Sequence, residues 1–228
     1  MSLPDREQEL LTTLDAINDA DLPYVLVGGW AVTAFNQRFS TDVDLVIPET
    51  AVDDYASFLL DRDYERTSEH DTSGIYEGRF IQYSKDVGNP VSIELMVNAL
   101  RCRQTDAEWS YRYLDQHAQP VTVGRTQSMD ARIPERELLL AIKLHSGRFT
   151  DARDVVAAAA EADFDRVEMH LHRGDAEALA EQLASISEQL ADESFIDSFK
   201  GEFQQQSVPD ATIERVRDFL AGRQERLQ

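Results

Sequence analysis

The chain has 228 residues, of which 43 are Asp or Glu and 22 are Lys or Arg, so its formal net charge is −21. Such a charge disfavours nonspecific binding to nucleic acid or to anionic lipid, because both attract cationic surfaces. The hydrophobic fraction of 42% is ordinary for a globular protein, and the length suits one large domain or two small ones.

Lysine is rare in this chain and occurs only at Lys85, Lys143 and Lys200. Acid-rich, lysine-poor surfaces stay hydrated in concentrated salt, where screening shortens charge repulsion. We therefore expect a halophilic protein, with an ordinary acidic protein as the alternative. Cys102 is the single cysteine, which excludes a disulfide within the chain. Neither a signal peptide nor a membrane-spanning stretch is visible, which predicts a cytoplasmic location and no membrane partner.

Hydrophobic periodicity predicts an α/β segment followed by a helical one. The predicted helices are 5–20, 30–37, 50–60, 135–145, 151–162, 175–191 and 209–222, and the predicted strands are 24–27, 43–47, 78–84, 91–97 and 121–126. Thr50 is the expected N-cap of the third helix, and the turn at 86–90 joins two strands into a hairpin. The pattern changes near residue 130, so we predict an α/β domain over 1–130 and a helical domain over 131–228.

The most informative short motif is Asp42-Val43-Asp44. On a strand, residues i and i+2 point to the same face, so two carboxylates stand side by side while Val43 turns into the core. Adjacent like charges raise each other's pKa, and a divalent cation such as Mg²⁺ removes that penalty. A solvated acidic surface has the same pattern, and the spacing alone leaves that alternative open.

A further carboxylate, Glu94, lies in the middle of the apolar strand 91–97. A buried carboxylate needs a partner. An ion pair with an arginine is the structural interpretation, and a third metal ligand is the functional one.

Gly28 and Gly29 lie between a predicted strand and a predicted helix. Glycine allows the backbone to approach a phosphate closely, and the N–H groups that open a helix attract an anion. An ordinary turn is the alternative. Trp30, the next residue, either stacks on a base or lines the core between helix and sheet.

The stretches 27–32 and 38–47, taken with Glu94, resemble the nucleotidyltransferase superfamily, whose fold is shared with polymerase β. The resemblance implies an α+β fold with a small mixed sheet flanked by helices, followed by a helical C-terminal region. It implies Mg²⁺ or Mn²⁺ on Asp42, Asp44 and Glu94, with Glu94 as a candidate general base. The implied reaction moves a nucleoside monophosphate from an NTP to an acceptor hydroxyl and releases pyrophosphate. Gly28, Gly29 and Arg38 are the implied contacts of the triphosphate.

The stretch 138–155 resembles the helical half of AbiEii-type minimal nucleotidyltransferases, and Gly28–Ala31 is similar to aminoglycoside and lincosamide nucleotidyltransferases. The first resemblance implies that Lys143 contacts the triphosphate and that Asp154 orients Lys143 or a group of the substrate. A surface role for Lys143 and a helix-capping role for Asp151 are the alternatives.

One residue departs from the family pattern, because Gly29 stands where many members have a serine that helps to hold the triphosphate. This difference suggests, as an alternative function, a non-catalytic nucleotide- or partner-binding module on the same fold. The AbiEii-like stretch suggests a further alternative, the toxin of a toxin–antitoxin pair. The sequence does not choose among RNA, a protein and a small molecule as acceptor, nor among the NTPs.

Overall fold

The computed structural model describes residues 3–38, 40–71, 79–124, 128–204 and 209–227. The chain forms two compact units, one from residues 1–100 and 109–134 and the other from residues 101–108 and 135–228. Residues 101–108 thus group with the C-terminal part of the chain, although they lie within the predicted α/β domain. The division into domains that fold separately stays a prediction.

The first unit is built on a five-stranded sheet with the order β1-β2-β5-β4-β3. Its strands are β1 (Val25–Val27), β2 (Asp42–Ile47), β3 (Glu65–Asp71), β4 (Arg79–Asp86) and β5 (Pro90–Val97). β2 and β5 run parallel, whereas the other three neighbouring pairs are antiparallel. The predicted small mixed sheet is confirmed.

Helices and two short ladders are the other elements of this part of the chain. They are α1 (Leu3–Asp19), α2 (Gly28–Thr33), α3 (Val52–Leu60), α4 (Tyr111–Gln116), and the strand pairs β6 (Ala99–Cys102) with β7 (Ala107–Ser110) and β8 (Ala118–Val123) with β9 (Met129–Pro134). The ladder of β6 with β7 includes residues of both units. A 3₁₀ turn, Glu49–Ala51, precedes α3. The flanking helices predicted for this segment are therefore present.

Alternation along β2 and β5 separates an apolar face of the sheet from a polar one. Val43, Leu45, Ile93 and Leu95 are fully buried, and α1 packs on β5 with its buried apolar stripe, Leu10, Leu11, Leu14 and Ile17. This is the face that the period-2 pattern assigns to the core. Asp42, Asp44, Ser92 and Glu94 point to the opposite face and are partly exposed, so this part of that face is where polar chemistry is available.

The second unit is helical. Its helices are α5 (Arg136–Ser146), α6 (Phe149–Ala158), α7 (Phe164–Leu171), α8 (Ala176–Ala191), α9 (Ser194–Phe203) and α10 (Asp210–Leu227). α5 is buried from residue 137 to residue 145, and α6, α7 and α8 pack around it. A helix that is buried on all sides forms the centre of its unit. The predicted helical C-terminal region is confirmed.

Several elements differ from the prediction. Thr50 is not the N-cap of α3, because a 3₁₀ turn covers Thr50 and the α-helix begins at Val52 after Ala51. α2 begins at Gly28, two residues before the predicted start. β3, β6, β7, β9, α4, α7 and α9 are not predicted. β3 has the polar sequence of an exposed edge strand, which gives no apolar alternation to detect.

Parts of the predicted strands, Gly78 and residues 125–126, lie outside the described residues, as does Phe39 of the family-like stretch. Within the described ranges, no α-helix combines the length and the apolar character that crossing a membrane requires.

Candidate active site

Three carboxylates share the polar face of the parallel pair β2 and β5. In the register of these strands Asp44 is opposite Glu94, and Asp42 is opposite Ser92. Neighbouring strands lie about 4.8 Å apart and alternate residues share a face, so Asp42, Asp44 and Glu94 are neighbours. The structure thus brings together the three residues that the sequence predicts as metal ligands.

The surroundings of Glu94 disfavour its ionised form. Burial is the largest cause that raises its pKa, followed by the negative charges of Asp44 and Asp42 and a hydrogen bond with Asp44. A hydrogen bond from Gln82 acts in the opposite direction, and the pKa is raised to about 7. The three carboxylates therefore form a site whose repulsion a bound cation would relieve.

Hydroxyl groups from the loop before β2 fix the carboxylate of Asp42. Ser40 Oγ and Thr41 Oγ1 each lie 3.2 Å from Asp42 Oδ1 and donate to it. Each bond satisfies a lone pair of the carboxylate and restricts its rotation. The two hydroxyl groups therefore hold Asp42 in place.

Gly28 brings the backbone into contact with Asp44. Gly28 is the residue after β1, and the last residue of β1, Val27, lies opposite Asp44 in the ladder of β1 with β2. The φ of Gly28 is 65°. That backbone conformation favours glycine, and a Cβ added there would overlap the carboxylate of Asp44. The group that approaches this glycine in the structure is a carboxylate, and the predicted approach of a phosphate stays a prediction.

Gly29 has a related role beside Arg38. A Cβ at Gly29 would collide with Arg38 Nη2 and would lie 2.9 Å from Ser40 Oγ. The missing side chain therefore lets a guanidinium lie against the turn. Gly28, Gly29 and Arg38 meet at the end of the sheet where Asp42 and Asp44 stand. This arrangement places cationic and backbone donors beside the carboxylates.

Trp30 belongs to the core. Its side chain is 2% exposed in α2, so the structural interpretation of this residue is the one that the geometry supports. Stacking on a base requires an accessible ring face, which a tryptophan this deeply buried does not offer.

Lys143 and Asp154 lie in the helical unit, where they form an internal ion cluster with Asp151. Lys143 Nζ is 2.8 Å from Asp151 Oδ1 and 2.8 Å from Asp154 Oδ2, and the three side chains are 3%, 0% and 1% exposed. The lysine is therefore not a surface residue. Its role as a triphosphate contact stays a prediction.

In this cluster, opposite charges offset the cost of burying ionised side chains. Burial opposes the charge of Lys143, but Asp154 and Asp151 raise its pKa. Burial would also raise the pKa of Asp151, whereas Lys143 and Arg148 lower it to about 2. Asp151 also accepts from the backbone N–H of Arg148 at 3.1 Å, which is the capping role considered for it in the sequence.

Sequence reasoning missed three residues that contact the carboxylates, Gln82, Ser40 and Thr41. Gln82 lies opposite Glu94 in the hairpin of β4 and β5, and the turn at 86–90 would have given that register. Ser40 offers no comparable signal, because its contact with Asp42 depends on the path of an irregular loop.

Comparison with known proteins gives a consistent result at the level of the fold. No family model and no curated protein matches the sequence. A Helicobacter pylori protein assigned as a nucleotidyltransferase superposes with a TM-score of 0.50 at 14% identity, over 100% of this chain and 97% of that one. ANT(2")-Ia, solved with adenylyl-2"-tobramycin, superposes with a TM-score of 0.50 at 14% identity, over 73% of this chain and 95% of that one.

The chain has the nucleotidyltransferase fold. This confirms the resemblance drawn from Gly28, Gly29, Asp42 and Asp44. At such low identity the similarity concerns the fold alone. The activity of this nucleotidyltransferase-fold protein has to be argued from its own carboxylates and their neighbours.

Gly28→Ala should destabilise the first unit and displace Asp44. A non-glycine residue at this positive φ costs about 1–2 kcal/mol, and the new methyl group overlaps the carboxylate. Urea denaturation should show a lower unfolding midpoint, and Mn²⁺ titration a weaker affinity. Gly222→Ala is the matched control, because a Cβ there meets open space in α10. Equal midpoints for wild type and Gly28→Ala would contradict the close approach.

The pKa of Glu94 predicts a proton-linked metal affinity. A carboxylate must lose its proton to bind a cation, so Mn²⁺ affinity should fall by up to about tenfold per pH unit below pH 7 and level off above it. Electron paramagnetic resonance titrations at a series of pH values measure this. Glu94→Gln should bind more weakly, with no such slope.

The same shift has a defined sign for stability. Because the folded-state pKa of Glu94 lies above its ordinary value of 4.5, the metal-free protein should lose stability as the pH rises from 4.5 to about 7. Glu94→Gln should remove that loss. If the metal affinity and the stability of the wild type both stay constant over this pH window, the pKa of Glu94 is not raised.

Proposed function

We propose that the protein is a metal-dependent nucleotidyltransferase, which moves a nucleoside monophosphate from an NTP to an acceptor hydroxyl and releases pyrophosphate. The observation that supports this best is the register of β2 and β5, which sets Asp44 opposite Glu94 with Asp42 beside them. The second supporting observation is that the glycine turn lies against Asp44.

The three carboxylates fit a divalent metal. They are hard oxygen donors on adjacent strands. Burial and, after it, the negative charges of Asp44 and Asp42 raise the pKa of Glu94, and a cation would offset both effects. Asp42, Asp44 and Glu94 would hold Mg²⁺ or Mn²⁺, which prefer such ligands together with substrate phosphates. When bound, the metal would neutralise phosphate charge and stabilise the attacking and leaving oxygens.

The residues around the metal ligands have separate tasks. Gly28, Gly29 and Arg38 would bind the triphosphate, the glycines by admitting it to the backbone and Arg38 by its charge. Glu94, with a pKa near neutrality, would accept the proton of the acceptor hydroxyl. The acceptor oxygen then forms a bond to the α-phosphorus, and the bond from that phosphorus to the oxygen bridging to the β-phosphorus breaks. The electron pair of the broken bond leaves with pyrophosphate.

Lys143 and Asp154 stay in the proposal as the residues that the AbiEii-like stretch implies. Their bonds within the helical unit are internal, so removal of Lys143 would leave two buried carboxylates. Breaking a buried ion pair in this way is strongly destabilising. A Lys143 variant is therefore informative about catalysis only if it is shown to fold.

The acceptor is proposed to be small or cationic. With a net charge of −21 the chain repels a polyanionic RNA, whereas a small or cationic molecule meets no such barrier. The adenylyl-2"-tobramycin bound in ANT(2")-Ia makes tobramycin one molecule to include among the acceptors tested.

Transfer of label from [α-³²P]NTP tests the function directly. Each NTP is incubated with Mg²⁺ or Mn²⁺ and with tobramycin, tRNA or the protein itself as acceptor. Asp44→Asn should lower the rate by at least about 100-fold, because it removes charge from the metal site. Asp19→Asn, an exposed aspartate at the end of α1, is the matched control and should retain the wild-type rate.

The outcomes distinguish the alternatives. If the wild type binds NTP but transfers no label, the result would favour the non-catalytic module, the alternative suggested by Gly29 in place of the serine of many family members. Growth arrest on expression that Asp42→Ala relieves would favour the toxin, and a search for an antitoxin would then follow. Full transfer by Asp44→Asn would contradict the assignment of the metal site.

We also propose that the protein is halophilic and works in a salt-rich cytoplasm. Repulsion among its 43 acidic residues, against 22 basic ones, should be screened by salt. The midpoint of urea unfolding should therefore rise between about 0.1 M and about 2 M KCl. A midpoint that is unchanged or lower at the higher salt would support an ordinary acidic protein instead.

A further inference from the structure

The polar face of the sheet continues from Glu94 onto β4. In the register of β5 with β4, Glu94 is opposite Gln82. Gln82 Nε2 donates a hydrogen bond to Glu94 Oε1 at 3.0 Å. Cross-strand pairs of this kind have their side chains on one face and within contact distance. Gln82 therefore touches the carboxylate that faces Asp44, without being one of the predicted site residues.

An irregularity in β3 holds the other end of the Gln82 amide. The register of β3 with β4 shifts between Arg66 and Ser68, which leaves Thr67 as an additional residue. Bulges of this type redirect a side chain. Thr67 Oγ1 lies 3.4 Å from both the main-chain oxygen and Oε1 of Gln82, to which it donates its one proton in a shared bond, and 3.1 Å from Ser84 Oγ. The amide is thus held at both ends, by a donor at its oxygen and an acceptor at its nitrogen.

The contact with Glu94 fixes the orientation of the amide. A carboxamide has a donating nitrogen and an accepting oxygen, so the two ends are not interchangeable. If the amide were reversed, its oxygen would face the carboxylate of Glu94, and two acceptors would be in contact. The carboxylate of Glu94 therefore selects the orientation in which Gln82 donates to it, and the hydroxyl of Thr67, which can donate or accept, is compatible with that orientation.

We propose that Gln82 is a positioning residue for Glu94. Its N–H bond to Oε1 holds the plane of the carboxylate beside Asp44 and leaves the lone pairs of Oε2 for a cation. This role rests on the proposed function, because it concerns the same metal site. Gln82 acts only through Glu94, so its effect should disappear when the carboxylate is absent.

The sheet order predicts which kinetic constant changes. Gly28 and Gly29 follow β1, at one edge of the order β1-β2-β5-β4-β3, whereas Gln82 lies on the other side of Glu94. Loss of Gln82 therefore leaves the proposed phosphate contacts in place. It should lower kcat and metal affinity with little change in the KM for NTP, a separation that general unfolding would not produce.

A double-mutant cycle tests the role. Gln82→Met keeps the length of the side chain but removes both hydrogen bonds. We expect it to lower kcat and Mn²⁺ affinity by about tenfold, with the KM for NTP within about twofold of wild type. In the Glu94→Gln background the same substitution should change neither quantity. Gln119→Met, an exposed position on β8, is the matched control and should behave as wild type.

Thr67 provides a second, independent variant. Thr67→Val should give a smaller loss of kcat in the same direction, and Thr67→Ser, which restores the hydroxyl, should recover it. Rescue by a hydroxyl is not expected of a residue that only maintains the strand.

The outcomes separate this inference from the proposed function. A wild type that transfers nucleotide and binds Mn²⁺ while Gln82→Met does so equally well would overturn the role of Gln82 alone. Equal losses in the wild-type and Glu94→Gln backgrounds would also overturn it, because Gln82 would then act independently of Glu94. A wild type that neither binds Mn²⁺ nor transfers nucleotide would overturn both proposals.

Discussion

The pairing of β2 with β5 is the constraint on which the candidate site of this protein depends. The parallel register of β2 and β5 forces the two carboxylates into one row, with Asp42 next to them. A fold that had only to be stable would avoid this arrangement, since burial of Glu94 together with the charges of Asp44 and Asp42 raises its pKa to about 7. Local rules are commonly broken where function requires it. The neighbouring Gly28, Gln82 and Ser40 make sense as groups that hold these charges in position.

The hydrophobic core of the first unit stabilises the register of β2 with β5. The buried face of β2 and β5 presents Val43, Leu45, Ile93 and Leu95 to the core, and a slip by one residue would exchange the apolar and acidic faces. Burial of the apolar residues therefore fixes the carboxylates on the open face. The hydrophobic core and the candidate site are two consequences of one strand pairing.

Much of this could be predicted from the sequence, because the relevant signals are local. Asp42 and Asp44 are two residues apart on an apolar strand, the glycines mark the turn, and Glu94 interrupts an otherwise apolar run. These features were sufficient for the fold and for the grouping of three carboxylates. The long amphipathic helices were equally visible from their periodicity.

What could not be predicted depends on contacts between distant parts of the chain. β3 has the composition of a surface loop and is a strand only because β4 offers it a partner. Thr67 reaches Gln82 through a bulge that no local pattern indicates. The burial of Lys143 likewise follows from the packing of α6, α7 and α8 around α5, whereas the sequence of α5 is compatible with an exposed lysine.

The ion cluster of Lys143, Asp151 and Asp154 has a consequence for how the two units respond to their medium. Dissolved ions weaken attractions between exposed charges, but they hardly affect pairs that are shielded from solvent. Salinity should therefore act on the acidic exterior and leave this cluster unchanged. Acid should act differently, because the lowered pKa of Asp151 makes its contribution disappear as the pH falls from 3.8 toward 2. The contribution of this cluster to the stability of the helical unit would then be retained at high salt concentration and lost in strong acid.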